Sequence, residues 1–327
     1  MPASRAVVIG GGVAGLLAAR VLRDRFERVT LLERDRVPEP DAARRGVPQS
    51  YRPHVLLARG QQVLASLFPG LPATLAQRGA RWVNWTADVR WWLAGRWAPQ
   101  CPSELGSYAC SRGLLEATLR QALMARDGIE CRDGCQVTEL VANDRGNAVQ
   151  GVRFCQDSGK TEGIAAQLVV DASGRHSAAP RWLQQLGHPA PRETRVQPSL
   201  GYTTRWCRLP APARPDCKVL YAMPQAPDRP RGGIIYPVEG DRWTITLLGP
   251  AATRPPAMKR VLLPSRAAQA IPNWQRQCKR PSRSRPYTLT AASRTAGATT
   301  KRCRRSRPTS SSWAMPAAIS TQSTGRA

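Results

Sequence analysis

The first 33 residues hold the pattern that most limits how this chain can fold. An apolar run, Val7–Ile9, leads into the turn Gly10–Gly15 with the sequence GGGVAG, and a second apolar run ends at Glu33. Residues 13–25 place their apolar side chains on one face, as expected of a helix that packs on a sheet. This succession of strand, glycine turn, helix and strand predicts the first part of a dinucleotide-binding α/β fold.

The spacing of the glycines fits a pyrophosphate. Gly10 permits a tight turn, Gly12 lets backbone amides approach the phosphates, and Gly15 lets the helix pack closely on the strand. Val13 and Ala14 are included in the predicted site because they open the helix, whose N-terminus carries partial positive charge.

An acidic residue completes the pattern. Glu33 stands at the end of the second strand, where a carboxylate accepts hydrogen bonds from ribose hydroxyls and repels a 2′-phosphate. The sequence therefore predicts binding of FAD or NAD rather than NADP. The alternative is a glycine-rich turn in some other α/β domain.

Length and composition narrow the class of protein. The 327 residues have room for about two domains, and no uninterrupted apolar segment is long enough for a membrane span. The first apolar run is the nucleotide-binding strand rather than a signal peptide. The nine cysteines are scattered, which predicts reduced thiols in a cytoplasmic protein. No metal site is predicted, because the pair Cys131 and Cys135 has no second Cys or His pair near it in the sequence.

The end of the chain differs from the rest in charge. The net charge is +27, and 16 of the 49 Lys and Arg residues follow Gly249, whereas no Asp or Glu follows Asp241. Residues 250–327 mix Arg with Pro, Ser, Thr and Ala, which predicts a basic, low-complexity, disordered tail. Such a tail attracts phosphate only non-specifically, so no specific nucleic-acid partner is predicted.

Codon degeneracy suggests an origin for this tail. Met and Trp have single codons, so Trp313–Pro316 read one base earlier forces a Gly and an Ala and permits Gly-Asp-Ala. The same shift at Met258–Lys259 forces a Glu. The hypothesis is a single-base insertion or deletion close to Gly249; the alternative is a natural Arg-rich extension.

The remaining pattern predicts alternating elements. Helices are expected at 54–67 and from 112 to about 126, the second capped by Ser111, with a turn at 69–72 between them. The strand 168–171 ends in Asp171 and returns the chain to the dinucleotide fold. Further strands are expected within 80–98 and at 136–142, 148–154, 201–208, 219–223, 233–237 and 242–248, the last four in one antiparallel sheet.

The predicted fold class is α/β: a Rossmann-type FAD-binding domain interleaved with a mostly antiparallel β-sheet substrate domain. The predicted boundaries are 1–75 and 105–185 for the FAD-binding domain, 76–104 and 186–249 for the substrate domain, and 250–327 for the tail.

Several segments occur in an order typical of one family. They are the glycine turn with Glu33-Arg34, the Gly46–Gln49 segment followed by His54, the segment from Ser111-Arg112 to Glu116, and Asp171-Ala-Ser-Gly174. Together they resemble FAD-dependent oxidoreductases of the aromatic-hydroxylase and squalene-epoxidase-like superfamily of flavoprotein monooxygenases. The Gly-Asp-Ala of the shifted frame is similar to that family's second flavin motif.

The resemblance implies roles for the matching residues. Glu33 would hold the adenosine ribose, Arg34 would be a further cofactor-binding residue, and Arg112 would approach the flavin phosphate or ribityl chain. Asp171 and Gly174 would lie near the cofactor, while no catalytic residue is identified. The alternatives stay open: Arg112 as a surface residue and Asp171 as the cap of its own turn. His54 could likewise be structural rather than a contact to flavin or substrate.

The resemblance also implies a reaction. FAD, reduced by NADH or NADPH, would react with oxygen to give a hydroperoxide that inserts one oxygen atom into an apolar organic substrate. The alternatives are a reductase of the geranylgeranyl-reductase kind, a non-functional truncated fragment, and a basic nucleic-acid protein. A flavin halogenase is disfavoured because Trp82–Trp85, WVNW, does not match the W-x-W-x-I-P pattern.

Overall fold

The computed structural model describes residues 3–37, 46–196, 199–211, 214–250 and 319–320. The predicted tail, 250–327, lies outside this range except for residues 250 and 319–320. The helices are α1 (Val13–Leu22), α2 (Ala58–Leu67), α3 (Leu71–Gln77), α4 (Arg112–Met124) and α5 (Ala179–Gln185). The first strands are β1 (Arg5–Ile9), β2 (Arg28–Leu32), β3 (Arg81–Asn84), β4 (Val89–Leu93), β5 (Arg96–Trp97), β6 (Gly106–Ala109), β7 (Ile129–Arg132) and β8 (Cys135–Ala142). The later strands are β9 (Val149–Gln156), β10 (Thr161–Ala165), β11 (Leu168–Asp171), β12 (Leu200–Cys207), β13 (Val219–Ala222), β14 (Gly232–Val238), β15 (Arg242–Pro250) and β16 (Ile319–Ser320).

The elements form two compact units, each drawn from separate stretches of the chain. The first unit contains the described parts of Met1–Val47, Glu116–Thr194 and Thr299–Ala327. The second contains the described parts of Pro48–Leu115 and Arg195–Ala298. The domain limits predicted from the sequence stay predictions.

A parallel sheet forms the centre of the first unit. Its strand order is β16-β11-β1-β2-β7, in which β11, β1, β2 and β7 are parallel to their neighbours among these four and the short β16 pairs antiparallel with β11. Ala6–Ile9 and Val29–Leu32 are almost completely buried. Burial on both faces explains why these strands read as continuous apolar runs rather than alternating ones. The carboxyl ends of β1, β2 and β11 consequently lie along one edge of the sheet.

A second layer of the first unit is antiparallel. Strands β10, β9 and β8 form a three-stranded sheet. Phe154 of β9 and Trp182 of α5 are buried in the same apolar cluster as Val7 and Leu32 of the parallel sheet. The Trp182 indole N–H donates to the Thr138 carbonyl at 2.7 Å, so this ring is hydrogen-bonded inside the core.

The second unit is built on a six-stranded sheet. Its order is β12-β15-β14-β13-β4-β5, and most neighbouring strands are antiparallel, as predicted. The four strands expected in one antiparallel sheet, β12–β15, are all antiparallel to their neighbours among themselves, which confirms that prediction. The sheet also takes in β4 from an earlier segment of the chain, which pairs in parallel with β13 and places Tyr221 opposite Trp91.

In the second unit, the start of one helix and the second half of one turn were predicted wrongly. Helix α2 begins at Ala58 rather than His54. The carbonyl of His54 accepts a bond from the Tyr236 hydroxyl, and that of Leu56 accepts one from the Ser107 hydroxyl. These tertiary bonds hold the segment in a non-helical form. Residues 71–77, expected to begin in a turn, form α3 because a proline is tolerated in the first turn of a helix.

In the part of the chain that the structure describes, no helix has the length and apolarity that crossing a membrane requires.

Candidate dinucleotide-binding site

The glycine turn between β1 and α1 has the backbone form that only glycine adopts easily. Gly10 has a φ of +98°, and its N–H donates to the Leu32 carbonyl at 2.8 Å. A Cβ on Gly10 would lie 2.7 Å from the Ala172 carbonyl oxygen. The turn therefore lies against the residues that follow β11, at the carboxyl edge of the parallel sheet.

Helix α1 packs directly on this turn. A Cβ on Gly15 would lie 1.8 Å from the Gly10 carbonyl oxygen, a distance that no side chain can occupy. The close contact expected of Gly15 is therefore present. It places the first turn of α1 immediately beside the end of β1.

The start of α1 is suited to an anion. Gly12 is the N-cap, and no side chain among the described residues caps the helix there. The first turn holds no acidic residue, and Val13 and Ala14 are its first two members. Their backbone N–H groups have no intrahelical partner, and the helix dipole adds positive potential, so a pyrophosphate fits this end.

Glu33 lies where the ribose of a bound adenosine is expected. Glu33 is only 7% exposed. Its carboxylate accepts hydrogen bonds from the Gly11 N–H at 2.7 Å and from the Asp35 N–H at 3.0 Å. The structure thus brings the acid and the glycine turn together. The neighbouring Arg34 is exposed.

Asp171 is the last residue of β11, and Gly174 lies in the turn that follows. The Asp171 carboxylate accepts bonds from the Ser173 N–H at 2.9 Å and from the Ser177 hydroxyl. Gly174 has a φ of +86°, and nothing would meet a Cβ placed on it. The Asp171 carboxylate therefore caps its own turn, and contact of either residue with a cofactor stays a prediction.

Arg112 is the first residue of α4 and belongs to the second unit. Ser111 caps this helix as predicted, since its hydroxyl accepts the Leu114 N–H at 3.0 Å. The Ser111 N–H donates to the buried carboxylate of Glu239 at 2.9 Å. The Glu239 carboxylate therefore places an anion at the start of α4, where the helix dipole favours it. Contact between Arg112 and the flavin stays a prediction.

His54 has a structural contact. Its Nε2 lies 3.0 Å from the Gln49 carbonyl oxygen. It precedes α2 instead of opening it. Its contact with flavin or substrate stays a prediction.

Sequence reasoning missed two residues of the site. Gly11 bonds Glu33 through its N–H, and the Arg120 guanidinium donates to the Gly11 carbonyl at 2.7 Å. Gly11 occupies a variable position of the glycine motif, and Arg120 is 109 residues distant in sequence. No local sequence pattern links the two residues, because their contact depends on the packing of α4.

Two of the described cysteines, Cys110 and Cys217, have thiols that burial makes less acidic. Burial raises the pKa of the Cys110 thiol to about 12 and that of Cys217 to about 11. These thiols are therefore protonated and unreactive at neutral pH. Among the described residues, no group of His, Cys, Asp and Glu is close enough to hold a metal ion.

The parallel sheet, the glycine turn, the open start of α1 and the buried Glu33 define a Rossmann-type dinucleotide-binding protein. The chain belongs to the FAD-dependent oxidoreductase family, whose model matches residues 5–278. This confirms the prediction, made from the ordered motifs, that the chain is a member of a family of FAD-dependent oxidoreductases.

The comparisons with individual proteins agree with the family. The chain is 34% identical over 290 residues to Protein Rv3254 of Mycobacterium tuberculosis, covering 84% of this chain and 60% of that protein. Its fold is similar to that of PqsL from Pseudomonas aeruginosa, a probable FAD-dependent monooxygenase, with a TM-score of 0.58 and 17% identity over 76% of this chain and 61% of PqsL. It is also similar to p-nitrophenol 4-monooxygenase PnpA from Pseudomonas putida, with a TM-score of 0.56 and 14% identity over 84% of this chain and 63% of PnpA. The chain thus spans about three fifths of the length of these proteins.

Proposed function

We propose that the first unit binds the adenosine diphosphate half of FAD at the glycine turn. The observation that carries this proposal is the juxtaposition of Glu33 with the turn that opens α1. The N–H groups of Gly12, Val13 and Ala14 would donate hydrogen bonds to the pyrophosphate, and the Glu33 carboxylate would accept hydrogen bonds from the ribose hydroxyls. Arg34 would lie beside the adenosine, because it directly follows Glu33.

We propose that the protein is a monooxygenase. Support comes from its family and from the fold it shares with PqsL, a probable FAD-dependent monooxygenase, and with the p-nitrophenol 4-monooxygenase PnpA. When bound, the flavin supplies the redox chemistry: reduced by NADH or NADPH, it activates molecular oxygen for transfer of one atom to the substrate. The chain's own residues bind and orient that cofactor.

The proposed substrate is a small apolar organic molecule. Support comes from the six-stranded sheet, where the rings of Trp91 and Tyr221 stack with centroids 5.0 Å apart and both residues are partly exposed. Met223, two residues beyond Tyr221, is 41% exposed. Other tryptophans of the 80–98 segment pack against their neighbours: Trp85 is buried, and Trp92 meets Trp97 edge to face. They contribute to the core rather than to a binding surface.

The test of this function is a purification followed by two measurements. The protein should carry or take up FAD, and with NADH or NADPH it should consume oxygen in the presence of an apolar aromatic substrate. Flavin binding without oxygen consumption, together with saturation of a double bond in the product, would instead support the reductase alternative. A protein that takes up no flavin would refute the proposed function.

We further propose that residues after about Gly249 are translated from a shifted reading frame. Support comes from the codon argument at Met258–Lys259, which requires the change to lie before Met258. DNA sequencing across codons 245–280 tests the proposal. An unbroken frame that encodes the same residues in independent clones would refute it. Restoring the frame is expected to strengthen FAD binding, because the restored Gly-Asp-Ala resembles the second flavin motif.

A further inference from the structure

Arg120 approaches the glycine turn from α4. Its Nη2 donates a hydrogen bond of 2.7 Å to the Gly11 carbonyl oxygen. Leu119 and Leu123, its neighbours on the helix, are completely buried, so this part of α4 is fixed in the core of the first unit. The guanidinium is therefore held against the turn by a rigid support.

The Gly11 residue is held at both of its backbone groups. Its N–H donates to Glu33 Oε2 at 2.7 Å, while its carbonyl accepts from Arg120. Glu33 Oε2 and Arg120 Nη2 each lie 3.1 Å from the point where a Cβ of Gly11 would stand. A buried carboxylate and a guanidinium thus flank one glycine, and each satisfies one of its polar groups.

The positive charge of Arg120 also acts on a thiol of the strand β7. Burial raises the pKa of the Cys131 thiol, and the Arg120 guanidinium partly offsets that rise. Cys131 of β7 pairs with Leu31 of β2, two residues before Glu33. Arg120 is thus near both β7 and the carboxyl end of β2.

This arrangement fixes the direction of the next amide. In a trans peptide the C=O and the following N–H point in opposite directions. Because Arg120 holds the Gly11 carbonyl, the Gly12 N–H must point away from Arg120. The peptide joins two glycines and would otherwise rotate easily. Gly11 is buried and Gly12 is partly exposed. The Gly12 N–H is therefore directed away from the buried side, where Arg120 lies, and toward the side that a ligand can reach.

We propose that Arg120 is a positioning residue for the cofactor: by holding the Gly11 carbonyl, it directs the Gly12 N–H to the pyrophosphate of FAD. The inference rests on the proposed function and extends it to a residue outside the glycine motif. Arg120 itself does not touch the phosphates.

The experiment compares Arg120→Met and Arg120→Lys with the unmodified full-length chain, in its present and its frame-restored form. The matched control is Arg126→Met, just beyond the end of α4. FAD and ADP affinities are measured by titration, and amide hydrogen exchange is measured for the peptide covering residues 8–20. Loss of a charge-assisted bond is expected to weaken both affinities about 10- to 100-fold in Arg120→Met.

The pattern across variants separates positioning from general structural support. Arg120→Lys keeps a charge and donors but lacks the planar fork, so it should recover part of the affinity. Exchange should become faster at residues 10–15 in Arg120→Met, with the melting temperature close to that of Arg126→Met. Equal FAD and ADP affinities in Arg120→Met and the unmodified chain would overturn the inference and leave the proposed function intact. Faster exchange throughout the protein, with a large fall in melting temperature, would also overturn it.

Failure of the proposed function has a different signature. If the unmodified chain binds neither FAD nor ADP in either form, the proposed function is wrong. In that case, amide hydrogen exchange still tests whether Arg120 fixes the peptide between Gly11 and Gly12. Unchanged exchange at residues 10–15 in Arg120→Met would show that Arg120 does not fix this turn.

Discussion

Replacing Gly15 with alanine should disrupt the packing on which the nucleotide site depends. The new Cβ would lie 1.8 Å from the Gly10 carbonyl oxygen and 2.9 Å from its carbon, both backbone atoms. Because these atoms cannot rotate away, α1 and the end of β1 must separate by about 1 Å or more. We expect the free energy of unfolding to fall by about 1–3 kcal/mol, the usual cost of overpacking.

The same displacement should weaken cofactor binding, because the N–H groups of Gly12 and Val13 move with the helix. Denaturant unfolding followed by circular dichroism measures the stability, and flavin fluorescence titration measures the affinity. Gly163→Ala is the matched control: Gly163 is exposed in β10, and the nearest atom to its added Cβ is the Val152 carbonyl oxygen at 3.8 Å, an ordinary contact distance. Its stability should change by less than about 0.5 kcal/mol. A Gly15→Ala protein with unchanged stability and FAD affinity would refute the packing described for this site.

Three further predictions concern single side chains. Glu33→Ala should weaken ADP binding about tenfold in an equilibrium titration, because the ribose loses its charged acceptor; unchanged affinity would count against the ribose role. Glu239→Gln should lower the free energy of unfolding by about 2 kcal/mol, because α4 loses the buried anion at its start, whereas the exposed Glu104→Gln should have little effect. The Cys110 pKa rises on folding from 9.0 to about 12, so the folded state holds a proton that the unfolded state releases in this range. Stability should therefore fall as pH rises above about 9, and Cys110→Ala should flatten that fall in unfolding titrations.

The sequence predicted the nucleotide-binding part of the fold well because its signals are local. The apolar runs of β1, β2 and β11, the glycine turn between them and Glu33 all report backbone conformation or burial within a few residues. The cap at Ser111 is equally local, since a hydroxyl and an N–H three residues apart define it.

The features that the sequence did not predict depend on tertiary contacts, which no local pattern encodes. His54 and Leu56 stay out of α2 because Tyr236 and Ser107 bond their carbonyls. The parallel pairing of β4 with β13 joins segments more than a hundred residues apart. Arg120 was missed for the same reason, because its contact with Gly11 depends on the packing of α4. The roles of Arg112, Asp171 and Gly174 toward the cofactor depend on that cofactor and stay predictions.

The most direct test of the central claim is an FAD titration of the purified, frame-restored protein with an absorbance spectrum of the complex. We expect saturation at one FAD per chain, a yellow complex, and competition by ADP at the glycine turn. A colourless protein that binds neither FAD nor ADP would contradict the assignment of this turn as the cofactor site.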